Sequence, residues 1–208
     1  MTLLLALLLA QPTGVFENLE PWKVLETKGG LVLQGRPIKG STYSEYRVVT
    51  DTPYPAMALC EHIYEWATKG TDHPGVKLRK LLKDGPDERV VYNQIEQSVV
   101  SDRDYALTVV RRREPDGTCR IRFWTSNALA PPPPAGFVRM ERLWGGWVFE
   151  PLPGGKARLT HTLFADPAGS IPAFLVHGPQ KSAAKASVVT GLQKVKAALA
   201  TRSGDRHR

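Results

Sequence analysis

Residues 77–165 read as one strand after another, and a single long amphipathic helix follows them. That order constrains the fold more than any other feature. The clearest strand is 119–126, where Cys119, Ile121, Phe123 and Thr125 share one face and Arg120, Arg122 and Trp124 the other. A period of two with one basic face marks a half-buried antiparallel strand. Segments 90–96 and 104–113 precede it, split by a linker around Ser101, and the turn Asp116-Gly117 joins the second to 119–126. Segments 137–150 and 156–165 follow, joined through Pro153-Gly154-Gly155. Between them and the earlier strands, 127–136 holds the prolines Pro131 to Pro134 in succession, which cannot donate to a ladder. This predicts a loop with a stiff polyproline segment.

The closing helix is predicted over 172–199, with Pro172 in its first turn and Val188, Leu192, Val195 and Leu199 on one face. Upstream, 22–27 and 31–34 flank Gly29-Gly30 as a hairpin, and 43–50 is a third strand. Pro53 and Pro55 open a helix that runs to Trp66, with Ala56, Leu59, Ile63 and Trp66 on one face. Residues 69–75 form a loop. No repeat or domain boundary interrupts the chain, so the expected architecture is a single α+β domain with its last helix across an antiparallel sheet.

At 208 residues and 42% hydrophobic content, the chain can enclose a sizeable core or cavity. Its formal net charge of +8 would draw it toward polyanions. Arg111-Arg112-Arg113 and the pair Lys181 and Lys185 read as solvated faces, with docking to anionic lipid as the functional alternative. No nucleic-acid motif lies in register with the basic residues, so no nucleic-acid partner is expected.

Residues 1–10 are apolar apart from Thr2, and too short to span a bilayer, which takes roughly 20 residues. They read as a signal peptide with Ala10 before Gln11-Pro12 as the cleavage point, which implies export. No Lys or Arg precedes the run and Leu8 sits where a small residue is preferred, so the alternative is an N-terminal helix packed on the domain, in a cytoplasmic protein. The domain itself is placed at 15–199, with a charged tail at 200–208. Cys60 and Cys119 show no metal-ligand spacing and fall on different layers; they read as small buried apolar residues rather than a disulfide.

Three stretches resemble the START (StAR-related lipid-transfer) family. Val91-Tyr92 followed by Ser101-Asp102-Arg103-Asp104-Tyr105 resembles its strand pair with an (N/D)RDY signature. Gly136-Phe137-Val138-Arg139 resembles its GxVR strand opening. Asp166 to Phe174, reading DPAGSIPAF, resembles its DPGGxIP approach to the last helix. The similarity runs over about 22–199 with the motifs in order. Each motif also has a structural reading as an ion pair, a turn glycine or turn chemistry, and in this family such motifs chiefly build the scaffold.

The resemblance implies a helix-grip fold, in which a curved antiparallel sheet wraps the long C-terminal helix around an apolar tunnel. It also implies non-catalytic binding and transfer of a lipid or sterol-like ligand. The expected lining is Tyr105, Leu107, Val109, Ile121, Phe123, Phe137 and Phe174. Arg139 and Glu141 share a strand face with Phe137 and Leu143; they form a polar point in the tunnel if that face is inward, or a weak surface pair if it faces water. The 127–136 loop falls where the family has its gate, with Ala128 and Leu129 as its apolar surface and Gly136 as a hinge. Val109 stands where some members carry an inward arginine, and 69–74 lacks the charged residues of phosphatidylcholine binders, so the tunnel is expected to be more apolar than in either group.

Neither a catalytic site, a metal site nor a cofactor is expected. There is no GxSxG, HExxH or P-loop. His161 shares strand parity with Leu159 and Leu163 and reads as a satisfied core histidine, with a general base as the alternative. The rival to carriage is a cyclase- or hydrolase-like enzyme acting on a hydrophobic or polyketide substrate in the same cavity. We read the chain as a monomer making transient contact with an anionic membrane surface.

Overall fold

The computed structural model describes residues 20–73, 75–96, 100–169 and 171–204. The apolar leader at 1–10 and its cleavage point lie outside the described residues. The hairpin of β1 (Lys23–Lys28) and β2 (Leu31–Pro37) turns through Gly29 and Gly30 at φ of 58° and 78°. Positive φ at both positions is what a two-residue hairpin turn needs to match strand twist. β3 (Ser44–Thr52) leads into α1 (Ala56–Lys69). Then come β4 (Val76–Lys83), β5 (Glu88–Ile95), β6 (Arg103–Arg113), β7 (Cys119–Thr125) and a 3-10 turn at Asn127–Leu129. β8 (Val138–Arg139), β9 (Arg142–Leu152), β10 (Lys156–Asp166) and α2 (Ala173–Gly204) complete the chain.

All ten strands join one sheet in the order β1-β2-β3-β10-β9-β7-β6-β5-β4, antiparallel throughout except that β8 pairs parallel with the start of β6. The N-terminal hairpin thus attaches beside the last strand. The expected strand at 137–150 is interrupted at Met140–Glu141. β8 lies beside Arg103 and Asp104, past the point where β7 has left β6, and the chain then crosses to pair β9 with β7. The helix expected to end at Leu199 continues to Gly204.

The core sits where α1 and the second half of α2 close on the sheet. Leu59, Ile63 and Tyr64 of α1, Val188 and Val195 of α2 and Ile121, Phe149 and Leu159 of the sheet are fully buried. Cys60 on α1 and Cys119 on β7 form a disulfide, with Cα atoms 6.1 Å apart. This corrects the reading of two separate apolar residues: they belong to different layers, but α1 lies directly on the inner face of β7. Closing a loop with a sequence separation of 59 residues is worth about 4 kcal/mol in the chain-entropy picture.

The family-like motifs meet in space. Arg103 donates from Nε to the Pro167 carbonyl at 2.8 Å and from Nη2 to that of Ala168 at 3.3 Å, and also bonds the Ser101 carbonyl. It thereby clamps the turn that launches α2. The wholly buried Asp104 accepts two bonds from Arg139, at 2.8 and 2.7 Å, and one from the Tyr92 hydroxyl at 2.8 Å. Burial pushes its pKa up, but the bonds from Arg139 and Tyr92 and the Arg139 charge outweigh it and hold the carboxyl below its ordinary range. Among the described residues, no helix is long and apolar enough to cross a membrane.

Candidate functional site

Between the sheet and the first half of α2 lies a cavity of about 440 Å³. The helix uses one continuous face for two purposes. Val176, Gln180, Ala183 and Ser187 roof the cavity, and further along Val188, Leu192 and Val195 join the core over α1. The sheet wall follows strand alternation: Tyr105, Leu107 and Val109 on β6, Phe123 on β7, Leu143 and Trp147 on β9, and His161 and Leu163 on β10. Gly145 makes room for this wall. A Cβ there would lie 2.7 Å from the Phe123 ring and 2.1 Å from the Thr162 carbonyl oxygen.

Leu175, Pro179 and Ala183 on α2 border the cavity while remaining exposed, as does Gly75 just before β4. The opening therefore lies between the start of α2 and the segments flanking β4. Pro179, inside the helix, removes one backbone bond in this stretch.

Tyr105, Leu107, Val109 and Phe123 lie together on the wall, where the resemblance placed them. Ile121 does not reach it; it is fully buried under α1, toward the end of β7 that the helix covers. Phe137, Arg139 and Glu141 are also off the wall. Arg139 pairs with Asp104 rather than Glu141, whose exposed carboxylate accepts a bond from Asn127 at 2.9 Å. The parity argument fails for them because the strand breaks at Met140–Glu141. Phe174 is 77% exposed beside the opening rather than inside it. Ala128, Leu129 and Gly136 are exposed and none of them borders the cavity.

The cavity is less purely apolar than the sequence suggested. His161 is 2% exposed and stacks on Trp147 with ring centroids 3.8 Å apart. Its Nδ1 lies 3.1 Å from the Gly146 carbonyl oxygen, which can only accept, so Nδ1 carries the proton and Nε2 is a bare acceptor. Nε2 has no partner among the described residues. Burial pushes the His161 pKa down to about 4, so the ring is neutral near pH 7. Gln180 bonds the Ala165 carbonyl through Nε2, which leaves Oε1 buried and without a partner among the described residues.

Across the cavity stands Arg79, which strand patterning did not disclose. β4 carries register shifts between Val76 and Leu78 and between Leu81 and Lys83, so counting by twos cannot assign its faces. Arg79, Asn93 and Tyr105 lie in one cross-strand row. His73 stacks on Trp66 at 3.8 Å, and its pKa is pushed down to about 4 by burial and then by the Arg79 charge.

The basic runs are largely occupied. Arg111 and Arg113 both pair with Glu61 and Asp87, Lys185 pairs with Glu26 at 2.7 Å, and Lys181 lies over the Tyr46 ring.

A protein-family model described as the START domain matches residues 13–202. An uncharacterized protein of Pseudomonas aeruginosa is 29% identical over 162 residues, covering 76% of this chain and 78% of that protein. A STAR-related lipid transfer protein fragment from Xanthomonas axonopodis superposes with a TM-score of 0.74 at 22% identity, covering 84% of this chain and 98% of that one. Human StAR-related lipid transfer protein 5 gives 0.69 at 21% identity, with 90% of this chain and 88% of the other covered. With its sheet gripping α2 over a cavity and the family model spanning nearly its whole length, the chain belongs to the START domain family.

Proposed function

We propose that this protein binds one hydrophobic molecule of the lipid class under α2 and carries it without chemical change. The single observation that carries this reading is the cavity of about 440 Å³, within the range of small-molecule sites and walled mainly by aliphatic and aromatic side chains. The START membership and the two lipid-transfer structures of the same fold support it. Carriage fits better than catalysis because both histidines that border the cavity, His73 and His161, are oriented by a backbone carbonyl rather than a carboxylate. Loading at a membrane is part of the proposal: Phe174 and Leu175 expose apolar surface where the cavity opens. Export is a further part. The apolar leader motivates it, and the Cys60–Cys119 disulfide suits an oxidising compartment.

Native mass spectrometry of protein purified from its own host, followed by organic extraction, tests the proposal. One hydrophobic molecule per chain is expected, released unmodified, on a chain whose mass lacks the segment before Gln11. A ligand recovered as substrate and product would favour the enzyme reading, and a retained Met1 would refute export.

A further inference from the structure

We propose that the amphiphile held in this cavity carries an anionic head group, a carboxylate or a phosphate monoester, seated against Arg79. This rests on the lipid-carrier reading above. Among the described residues bordering the cavity are two arginines, Arg79 and Arg103, and no aspartate or glutamate. Burying a cation without a counter-charge is unfavourable, so a cavity of this composition favours a ligand that brings the missing charge.

The two arginines differ in how far they are occupied. Arg103 spends its donors on the carbonyls of Ser101, Pro167 and Ala168 and serves the scaffold. Arg79 donates from Nε to Asn93 at 2.7 Å and from Nη1 to the carbonyls of Trp66 and Gly70, both at 3.3 Å. Its Nη2 has no partner among the described residues.

The carbonyls at the end of α1 supply only about half an elementary charge. Asp72, a nearby carboxylate, favours the Arg79 charge through space, but it bonds Lys194 and the Trp66 indole and makes no ion pair with Arg79. Tyr105, in the same cross-strand row, adds a hydroxyl donor on that wall. A guanidinium with a free edge, partly shielded from water, suits carboxylate and phosphate oxygens alike.

Calorimetric titration of the full-length protein with dodecanoate, dodecyl phosphate and dodecanol separates the possibilities. The wild type is expected to bind at least one of the two anions about tenfold more tightly than dodecanol, as for one charge-assisted contact. Preference for dodecanoate identifies a carboxylate seat, and preference for dodecyl phosphate a phosphate seat. Arg79→Met should erase that preference while leaving dodecanol affinity unchanged, and Arg79→Lys should retain part of it. Equal wild-type affinity for all three, or an equal loss for all three in Arg79→Met, overturns the anionic head and leaves the carrier reading standing. Failure of all three to bind the wild type overturns the carrier reading itself. If Arg79→Met does not fold, the wild-type series and Arg79→Lys still decide.

Discussion

Ala168 holds a φ of 58°, the one described non-glycine residue in the left-handed region. It occupies the third position of the DPAG turn, where the START pattern has glycine. A left-handed conformation costs an L-residue about 1–2 kcal/mol, and glycine's greater freedom in the unfolded chain offsets about 0.5–1 kcal/mol of any gain. Ala168→Gly is therefore expected to stabilise the domain by about 0.5–1 kcal/mol, read as a higher urea midpoint at unchanged slope. A lower midpoint would mean that the methyl group packs productively. At this scale the signature residues could be read in advance as scaffold, and Arg103 and Asp104 act as that scaffold. What could not be read was partnership: Arg139 and Glu141 are two apart in sequence, yet the parallel pairing of β8 with β6 hands Arg139 to Asp104.

The elements divide by how strongly local pattern determines them. α1, the hairpins and the alternation of β7 follow from an opening proline, turn chemistry and period, and all are present close to their expected limits. The break between β8 and β9 was invisible, because no proline or glycine marks Met140–Glu141; the chain parts there only because it changes neighbours. α2 carries the element-scale prediction. Phe174 is 77% exposed at its start, next to Leu175 on the rim of the opening. Phe174→Asp is expected to slow lipid uptake from vesicles several-fold, with thermal stability almost unchanged, since the side chain buries little in the free protein. Leu129→Asp, on the 127–136 loop, serves as the comparison. A larger effect there than at Phe174 would return the gate to that loop, and unfolding by Phe174→Asp would show the residue to be structural.

For the whole molecule, two histidines bordering the cavity contribute to the response to acid, at a higher pH than the lowered carboxylates such as Asp104. His73 and His161 have pKa values pushed down to about 4, chiefly by burial, against about 6.5 in the unfolded chain. Between those values the unfolded state binds protons that the native state does not. Stability is therefore unaffected by these groups above about pH 6.5 and falls as pH drops toward 4, by up to roughly 1.4 kcal/mol per pH unit per histidine. Urea titrations across that interval should show the slope, and His161→Leu should remove about half of it; an unchanged slope would mean that His161 titrates normally in the fold. The sequence by itself determined the α+β class, the order of strands and helices and the alternation of β7, because these depend on local spacing and hydrophobic period, while the inward row of β6 came from the resemblance of its motifs to the START family. Tertiary structure alone decided the Cys60–Cys119 bond, the pairing of Arg139, the place of the opening and the presence of Arg79 in an otherwise greasy cavity. Each of those depends on which distant segments become neighbours when the sheet closes around α2, and a bulged strand such as β4 carries no period from which that could be counted.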